Sequence, residues 1–222
     1  MELSYWESRW RKGKTGFHAD WVNPALKKYW SEIPAGDEHN VLVPLCGKSP
    51  DLIWLRDRGH HVWGVEFVDL ACQSLFVENG IPYEVEQRGN WKIYRGNNLD
   101  IIQGDFFKLP SKMLPPVNAV YDRAAVVALP PDKRIKYTEK IRQLARRGCS
   151  MLVHTFEYDQ EKMSGPPFSV WQNEIEVHYS VTQNFVVTCL DETEKIDQLK
   201  KFQWRGLNSI REKTYHIRRN QH

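Results

Sequence analysis

Apolar and polar segments alternate along the chain in a pattern that predicts strands alternating with helices. Short apolar runs typical of buried parallel strands lie at 40–45, 61–67, 99–107, in the stretch ending near Asp122, and at 150–156. Two further strand-like runs follow in succession near the end of the chain, one of them "NFVVTCL" and the other within 201–217. We expect a mostly parallel sheet with helices on both faces and an antiparallel hairpin at its end.

Helix signals follow the first strands at the positions that this pattern requires. Ser49 is a good N-cap residue, and Pro50 fits the first helical position, where a missing N–H costs nothing. Gly59 is a typical helix-ending residue. Asp69 is expected to cap a second helix. The polar stretch 82–98, with its "RGN" and "RGNN" turns, predicts a hairpin insertion.

Composition and charge narrow the class of protein. The chain has 222 residues, 41% of them hydrophobic and 27% charged, which fits one soluble α/β domain. A net charge of +3 without a basic stripe gives no support for nucleic-acid binding. We find no apolar run long enough for a membrane span and no signal-peptide pattern. The four cysteines show neither zinc spacing nor a disulfide framework, so we expect a cytoplasmic protein without a metal.

The loops after the strands favour a nucleoside ligand, because such sheets bind ligands outside the carboxyl ends of their strands. The first loop keeps one glycine, Gly47, where a dinucleotide fingerprint has three. Glu66 follows nineteen residues later and is placed to accept hydrogen bonds from both hydroxyls of a ribose. S-adenosylmethionine has a ribose and an adenine but no phosphate, so this loop suits it better than NAD. The alternative for Glu66 is a surface glutamate before a helix.

Tryptophan is unusually frequent before the first strand. Four of the nine tryptophans fall in the first thirty residues, and Trp6 and Trp10 share one helix face. With Phe17, these rings are candidates for a cover over a pocket, where they would attract a sulfonium by cation–π interaction. The alternative is simple core packing.

Five motifs then carry a family resemblance: "YWESRWRKGKTGFH", "VPLCGKSPDLIWLRDRGHHVWGVE", "GDFF", "YDRAAVVALPPDKRIKY" and "GPPFSV". In this order they resemble the thiopurine S-methyltransferase family over nearly the whole chain, and "VPLCGKS" is similar to its bacterial form. The resemblance implies one class I, Rossmann-like methyltransferase domain over 1–222, with an N-terminal helical cover (1–35), a core (36–222) and a seven-stranded sheet. It also implies S-adenosylmethionine as methyl donor and a small thiol or selenol, such as a thiopurine, as acceptor.

The resemblance also implies roles for particular residues. Cofactor contacts fall on Trp10, Leu45, Glu66 and Arg123, with backbone or stacking contacts near Asp105 and Phe106. Phe17 matches the substrate-side aromatic residue of the family, and Trp6 is assigned to the same side. Resemblance to bacterial members suggests detoxification of selenium or tellurium compounds as an alternative role. We expect a monomer.

The chemistry expected from these residues is an in-line displacement of a neutral thioether by a thiolate, aided by alignment and exclusion of water. Arg123 cannot be a general base, because its pKa exceeds about 12. It can stabilise the acceptor thiolate or bind the cofactor carboxylate, and an inconsequential surface pair with Asp122 is the alternative. His60 and His61 are predicted to be solvated turn residues at the wrong edge of the sheet. A nicotinamide-dependent oxidoreductase and a non-catalytic or RNA-acting protein are the other classes considered.

Overall fold

The computed structural model describes residues 3–33 and 39–221, and its described residues form a single mixed sheet of nine strands flanked by helices. The predicted boundary between cover and core, at residues 35 and 36, lies outside these ranges. The strands are β1 Asn40–Pro44, β2 His61–Glu66, β3 Tyr83–Arg88, β4 Trp91–Gly96, β5 Leu99–Gln103, β6 Val117–Asp122, β7 Ala145–Glu157, β8 Phe185–Glu194 and β9 Arg211–Arg219. The helices are α1 Leu3–Arg11, α2 Pro24–Tyr29, α3 Pro50–Arg56, α4 Asp69–Glu78, α5 Pro131–Leu144, α6 Gln172–His178 and α7 Lys200–Gln203.

The strand order is β3-β4-β5-β2-β1-β6-β7-β9-β8, with a parallel centre and an antiparallel pair of strands at each edge. Strands β5, β2, β1, β6 and β7 run parallel. The chain alternates β and α through this centre, as the apolar pattern predicts, and β9 and β8 add the expected antiparallel hairpin. The prediction of an α/β fold with a mostly parallel core is confirmed.

The prediction of seven strands is wrong, because the insertion at 82–98 does not stand apart from the sheet. It forms the hairpin β3–β4, and β4 pairs antiparallel with β5, with Ile93 opposite Ile102. Both faces of β4 extend the apolar cores, since Ile93 is buried in the core on one face and Tyr94 in the core on the other. The hairpin is also tied to α4, where the carboxylate of Asp69 accepts a hydrogen bond from the Tyr94 hydroxyl at 2.7 Å.

The helix starts follow the sequence signals in one case and depart from them in another. Ser49 caps α3, its hydroxyl accepting from the Asp51 N–H at 3.3 Å, and Pro50 is the first helical residue. Asp69 does not cap α4. It is the first residue inside that helix and makes no capping bond, because its carboxylate is engaged by Tyr94 and Lys92 of the hairpin.

Two apolar cores lie against the sheet, as the alternation of side chains along each strand requires. Leu42 enters the core that contains α5, whereas Val41 and Val43 enter the core that contains α2, α3 and α4. The second core holds the aromatic residues Tyr29 and Trp30 of the segment before β1. Burying each such large side chain contributes roughly 1.5–3 kcal/mol, so this segment is fastened to the sheet.

The histidines before and at the start of β2 are not the solvated turn residues that the sequence predicts. His60 is buried, and the indole N–H of Trp30 donates to its Nε2 at 2.8 Å. His61 contacts the buried Asp100 at 3.2 Å. Both lie at the amino end of the strand, away from the strand ends that ligands use, as expected. Among the described residues, no helix has the length and apolar character needed to cross a membrane.

Candidate active site

Glu66, the last residue of β2, joins three loops at the carboxyl edge of the sheet. Its carboxylate accepts the backbone N–H of Gly47 on one oxygen and that of Val68 on the other, each at 2.8 Å. Its own carbonyl accepts the N–H of Gly104 at 2.8 Å. The loops after β1, β2 and β5 are therefore fixed to one another around a single residue, as their positions at the strand ends predict.

The environment of the Glu66 carboxylate suits a ligand with two adjacent hydroxyl groups. The side chain is buried, and this burial raises its pKa, while the N–H groups of Val68, Gly47 and Phe67 oppose that shift. An ionised carboxylate offers about four acceptor positions, and two of them are used here. The remaining lone pair on each oxygen fits the two hydroxyls of a ribose, so this residue fits the cofactor that its sequence position predicts.

The loop after β1 follows an unusual backbone path that sets Trp10 against it. Leu45 and Gly47 both have positive φ, 47° and 55°, and for leucine such a conformation is uncommon. A Cβ added at Gly47 would lie 3.2 Å from Cζ2 of Trp10. The single glycine of this loop therefore permits a close approach of the indole ring of α1.

The aromatic residues near the start of the chain form one cluster over the start of α4. Trp6 and Trp10 each contact Phe17 edge-on, with ring centroids 5.4 Å and 5.6 Å apart. Trp10 is buried against Val68 and Ala71. The prediction that Trp6 and Trp10 share a helix face is confirmed by their common partner, and the cluster lies beside the Glu66 loop through Val68.

Asp105 and Phe106 lie in the loop after β5. Of the backbone and stacking contacts considered for Phe106, only a backbone contact is compatible with its position. The Phe106 side chain is 1% exposed and packs against Tyr137 in the core, so its ring is not available for stacking on a ligand. Asp105 caps a short 3₁₀ turn, accepting from the Phe107 N–H at 3.0 Å. This bond occupies one carboxylate oxygen, Oδ1.

The loop after β6 holds Arg123 in a different way from the surface pair considered in the sequence analysis. Asp122 is buried and accepts from the Tyr137 hydroxyl and the Val126 N–H, and its burial raises its pKa to about 6. Arg123 turns instead to Asp51 of α3, with Nη1 at 3.5 Å from Oδ2. Ala124 follows with φ of 59°. Arg123 therefore pairs with Asp51 rather than with Asp122, the partner considered as the alternative.

Further titratable side chains surround Arg123. Burial lowers the pKa of His18, as do the charges of Lys48 and Arg123, with Asp20 and Glu78 opposing. Burial and then Arg123 lower the pKa of His154 to about 3, which keeps its imidazole neutral. Lys201 donates to the carbonyl of Gly16 at 2.7 Å and so connects α7 to the segment after α1. This part of the edge is built from segments that are distant in the sequence.

Lys48 follows Gly47 in the loop after β1. Its ammonium group lies 2.6 Å from Oε2 of Glu78 on α4. This ion pair connects the loop after β1 to α4. The described residues also contain no group of three or more His, Cys, Asp or Glu side chains placed to hold a metal ion.

Sequence reasoning missed three residues of this edge. Asp51 reads as an ordinary acidic residue in the first turn of a helix, yet it is fully buried beside Arg123. Trp91 of β4 packs on Gly104, where any Cβ would clash with its ring. His154 lies on β7 one position beyond the end of its pairing with β6. Only the glycine of "GDFF" signalled one of these contacts, because close approach of another group favours glycine.

Solved structures with the same fold define the class of protein. The Burkholderia thailandensis 1,6-didemethyltoxoflavin-N1-methyltransferase matches this chain with a TM-score of 0.64 and 17% identity. The match covers 98% of this chain and 87% of the other, and that structure contains S-adenosylhomocysteine. A S-adenosylmethionine-dependent methyltransferase from Methanosarcina mazei gives a TM-score of 0.61 at 11% identity, over 90% of this chain and 99% of the other. The fold is that of the S-adenosylmethionine-dependent methyltransferases.

Sequence relatives identify the family within this class. The family profile of thiopurine S-methyltransferase matches residues 1–220. The thiopurine S-methyltransferase of Pseudomonas fluorescens SBW25 is 37% identical over 217 residues, covering 98% of this chain and 99% of its own. That of Pseudomonas putida F1 is 39% identical over 219 residues, covering 99% and 100%. The chain belongs to the thiopurine S-methyltransferase family, and the predicted S-adenosylmethionine-dependent S-methyltransferase activity is confirmed at this level.

Proposed function

We propose that this chain transfers the methyl group of S-adenosylmethionine to the sulfur of a small thiol at the carboxyl edge of its sheet. The observation that carries the proposal is the buried Glu66 carboxylate, which is fixed by two backbone N–H groups and keeps one acceptor position free on each oxygen. The ribose hydroxyls of the donor would occupy these positions. The family to which the chain belongs supports the same reaction.

The proposed reaction is an in-line displacement. A lone pair of the acceptor thiolate forms the new sulfur–carbon bond while the bond between the methyl carbon and the sulfonium sulfur breaks, and its electrons stay on the leaving sulfur. The products are a methyl thioether and neutral S-adenosylhomocysteine, and the thiol proton leaves to solvent before transfer. The protein contributes alignment of the two sulfur atoms and exclusion of water, and no covalent intermediate on the chain is needed.

The donor is proposed to lie between Glu66 and the aromatic cluster of Trp6, Trp10 and Phe17. The indole of Trp10 lies against Gly47 at the loop that Leu45 opens. A ring in this position attracts a cationic sulfonium by cation–π interaction of about 0.5–2 kcal/mol. Phe17 contacts the rings of both Trp10 and Trp6, and Trp6 and Phe17 are proposed to close the acceptor side against water.

Arg123, Asp105 and Phe106 complete the proposed site. Asp105 has the oxygen Oδ2 beyond its capping bond, and with the backbone of Phe106 it is proposed to contact the adenine. Arg123 makes one hydrogen bond within the described part of the chain out of five possible donors. Its remaining donors are proposed to serve the acceptor thiolate, and the cofactor carboxylate is the alternative ligand.

The acceptor is proposed to be a small thiol or selenol, with thiopurines as the acceptors that the family name gives. Methylation of selenium or tellurium compounds, and with it tellurite resistance, is the alternative physiological role. The proposal includes action as a monomeric single-domain enzyme in the cytoplasm. Its four cysteines are all free thiols, which supports the proposed compartment only. No metal takes part in the proposed step.

The test is a screen of thiol and selenol acceptors with S-adenosylmethionine labelled in its methyl group. We expect label on the sulfur or selenium of at least one acceptor class, with formation of an equal amount of S-adenosylhomocysteine. A control reaction with the corresponding alcohols should stay unlabelled, because an un-ionised hydroxyl is a much weaker nucleophile than a thiolate. Labelling on nitrogen or oxygen only, or no transfer at all despite cofactor binding, would contradict the proposal.

A further inference from the structure

Asp51 is a fully buried carboxylate at the junction of four parts of the molecule. It lies in the first turn of α3 and is 0% exposed. Its Oδ1 accepts the backbone N–H of Asn23 at 2.7 Å, and its Oδ2 accepts the Tyr121 hydroxyl at 2.9 Å. Arg123 Nη1 lies 3.5 Å from the same Oδ2. Asn23 in turn caps α2 through its side chain. Asp51 therefore connects the segment before α2 to β6, the strand that Arg123 follows.

The contact between Arg123 and Asp51 is looser than a structural ion pair. Charge-assisted N–H···O bonds are usually about 2.7–2.9 Å long, whereas this one is 3.5 Å and Arg123 is 21% exposed at its side chain. The tight bonds of Asp51 go to neutral donors, Asn23 and Tyr121. The carboxylate is therefore held in place without using up the guanidinium, which keeps donors for a ligand.

The size of the local positive charge depends on Asp51, because most other titratable groups near Arg123 are neutral or cationic. Tyr121 and His154 are buried, with pKa shifts that keep both uncharged near neutral pH. The acid facing Arg123 from β9 is Glu212, whose pKa burial raises. The titratable and charged groups around Arg123 are Asp51, Tyr121, His18, His154, Lys201 and Glu212.

We propose that Asp51 is a positioning residue for Arg123, and that its charge limits the positive potential which Arg123 presents to the acceptor thiolate. The inference rests on the proposed function and concerns its acceptor side. A cation near a thiol favours the thiolate, and a carboxylate beside that cation weakens the effect. Asp51 thus makes the ionisation of the bound acceptor thiol less favourable than it would be beside Arg123 alone. At the same time it positions the guanidinium of Arg123.

The test is the pH dependence of the methyl-transfer step in a single turnover at saturating acceptor, which reports ionisations in the complex. In Asp51→Asn, we expect the acidic limb of this profile to move to lower pH by about one unit for a thiol acceptor. For a selenol that is already ionised, the limb should not move. The matched control is Asp57→Asn, which makes the same change of charge at an exposed position after the same helix and should leave the profile unchanged.

A second variant keeps the test decisive if Asp51→Asn does not fold. Tyr121→Phe removes the hydroxyl that shares Oδ2 with Arg123, so the carboxylate acts more strongly on the guanidinium and the limb should move to higher pH. The proposal is supported if the acidic limb moves in opposite directions in the two variants. If only Tyr121→Phe folds, a shift of the limb to higher pH in that variant supports it. A lower plateau with an unmoved limb in both folded variants would show a purely structural role and overturn it. In that outcome methyl transfer by the wild-type chain still stands, whereas absence of transfer in every form would refute the proposed function itself.

Discussion

The proposed site has two halves at the carboxyl edge of the sheet. The donor half is the group of loops around Glu66, the acceptor half is the group of side chains around Arg123, and the two are built in different ways. Around Glu66, the bonds come from backbone N–H groups of three loops that are neighbours in the sheet. Around Arg123, the hydrogen-bond partner is a side chain of α3, and the side chains whose charge states Arg123 influences come from β6, β7, α7 and the segment after α1. A backbone cradle is fixed by the fold, whereas a set of side chains can change without changing it. Under the proposed function, the donor half would be tied to the fold and the acceptor half would carry specificity.

The largest effect is expected from a change at the centre of the donor half. Glu66→Gln removes the charge from both ribose bonds and places an amide N–H₂ against the N–H of Gly47 or Val68. Hydrogen bonds to a charged group contribute about 1.5–3 kcal/mol each, so we expect S-adenosylmethionine to bind at least about a hundredfold more weakly. Calorimetric titration of the folded variant measures this.

Glu78→Gln is the matched control for Glu66→Gln, because Glu78 lies on α4 and pairs with Lys48 at the surface. Its cofactor affinity should equal that of the wild-type chain. If Glu66→Gln also binds the cofactor as tightly as the wild type, the donor does not lie at Glu66.

A smaller effect, confined to the acceptor, is expected from Arg123→Lys. Lysine keeps the charge but loses the planar set of donors that fixes geometry. We expect kcat/KM for weakly acidic thiols to fall about ten- to a hundredfold, and the fall to shrink for acceptors that are already ionised. Rates for acceptors of graded thiol pKa measure it. An equal loss for every acceptor, together with weaker cofactor binding, would place Arg123 on the cofactor carboxylate alone.

Trp10→Ala tests the donor half through its proposed contact with the sulfonium. The variant removes the ring beside Gly47 and with it a cation–π contact worth about 0.5–2 kcal/mol. We expect S-adenosylmethionine to lose up to about thirtyfold in affinity, while uncharged S-adenosylhomocysteine loses less. Trp21→Ala is the control, since Trp21 is 64% exposed. Equal losses for both ligands would mean that Trp10 acts by packing only.

The last effect concerns the stability of the fold, not binding or turnover, and involves His154 near Arg123. Burial and Arg123 lower the pKa of His154 to about 3 from 6.5, so between these values the folded chain binds fewer protons than the unfolded chain. The contribution of neutral His154 to the free energy of unfolding is complete above pH 6.5 and is lost as the pH falls. Relative to His154→Gln, the wild-type free energy of unfolding should fall as the pH drops below 6.5, by on the order of 1 kcal/mol per pH unit. Denaturant titrations at several pH values measure this, and parallel curves for the two proteins would contradict it.

The fold, and the meeting of Gly47 with Glu66, could largely be predicted from the sequence because their signals are local. Strand lengths, the Ser49 cap and the spacing from Gly47 to Glu66 depend on short segments. The joining of the hairpin to the sheet could not be predicted, because it depends on Asp69 meeting Tyr94 across the fold. The acceptor half was hidden for the same reason. Asp51 and Arg123 are separated by 72 positions in the sequence, and nothing in the first turn of α3 signals a buried charge.

Single-turnover rates at saturating S-adenosylmethionine, with a weakly acidic thiol at saturation, test the division into two halves most directly. At saturating cofactor, Glu66→Gln should recover nearly the wild-type rate, because its defect lies in donor affinity. Arg123→Lys should stay slow under the same conditions, because its defect lies in the acceptor. A Glu66→Gln enzyme that stays slow at saturating cofactor, or an Arg123→Lys enzyme that recovers fully, would contradict the account.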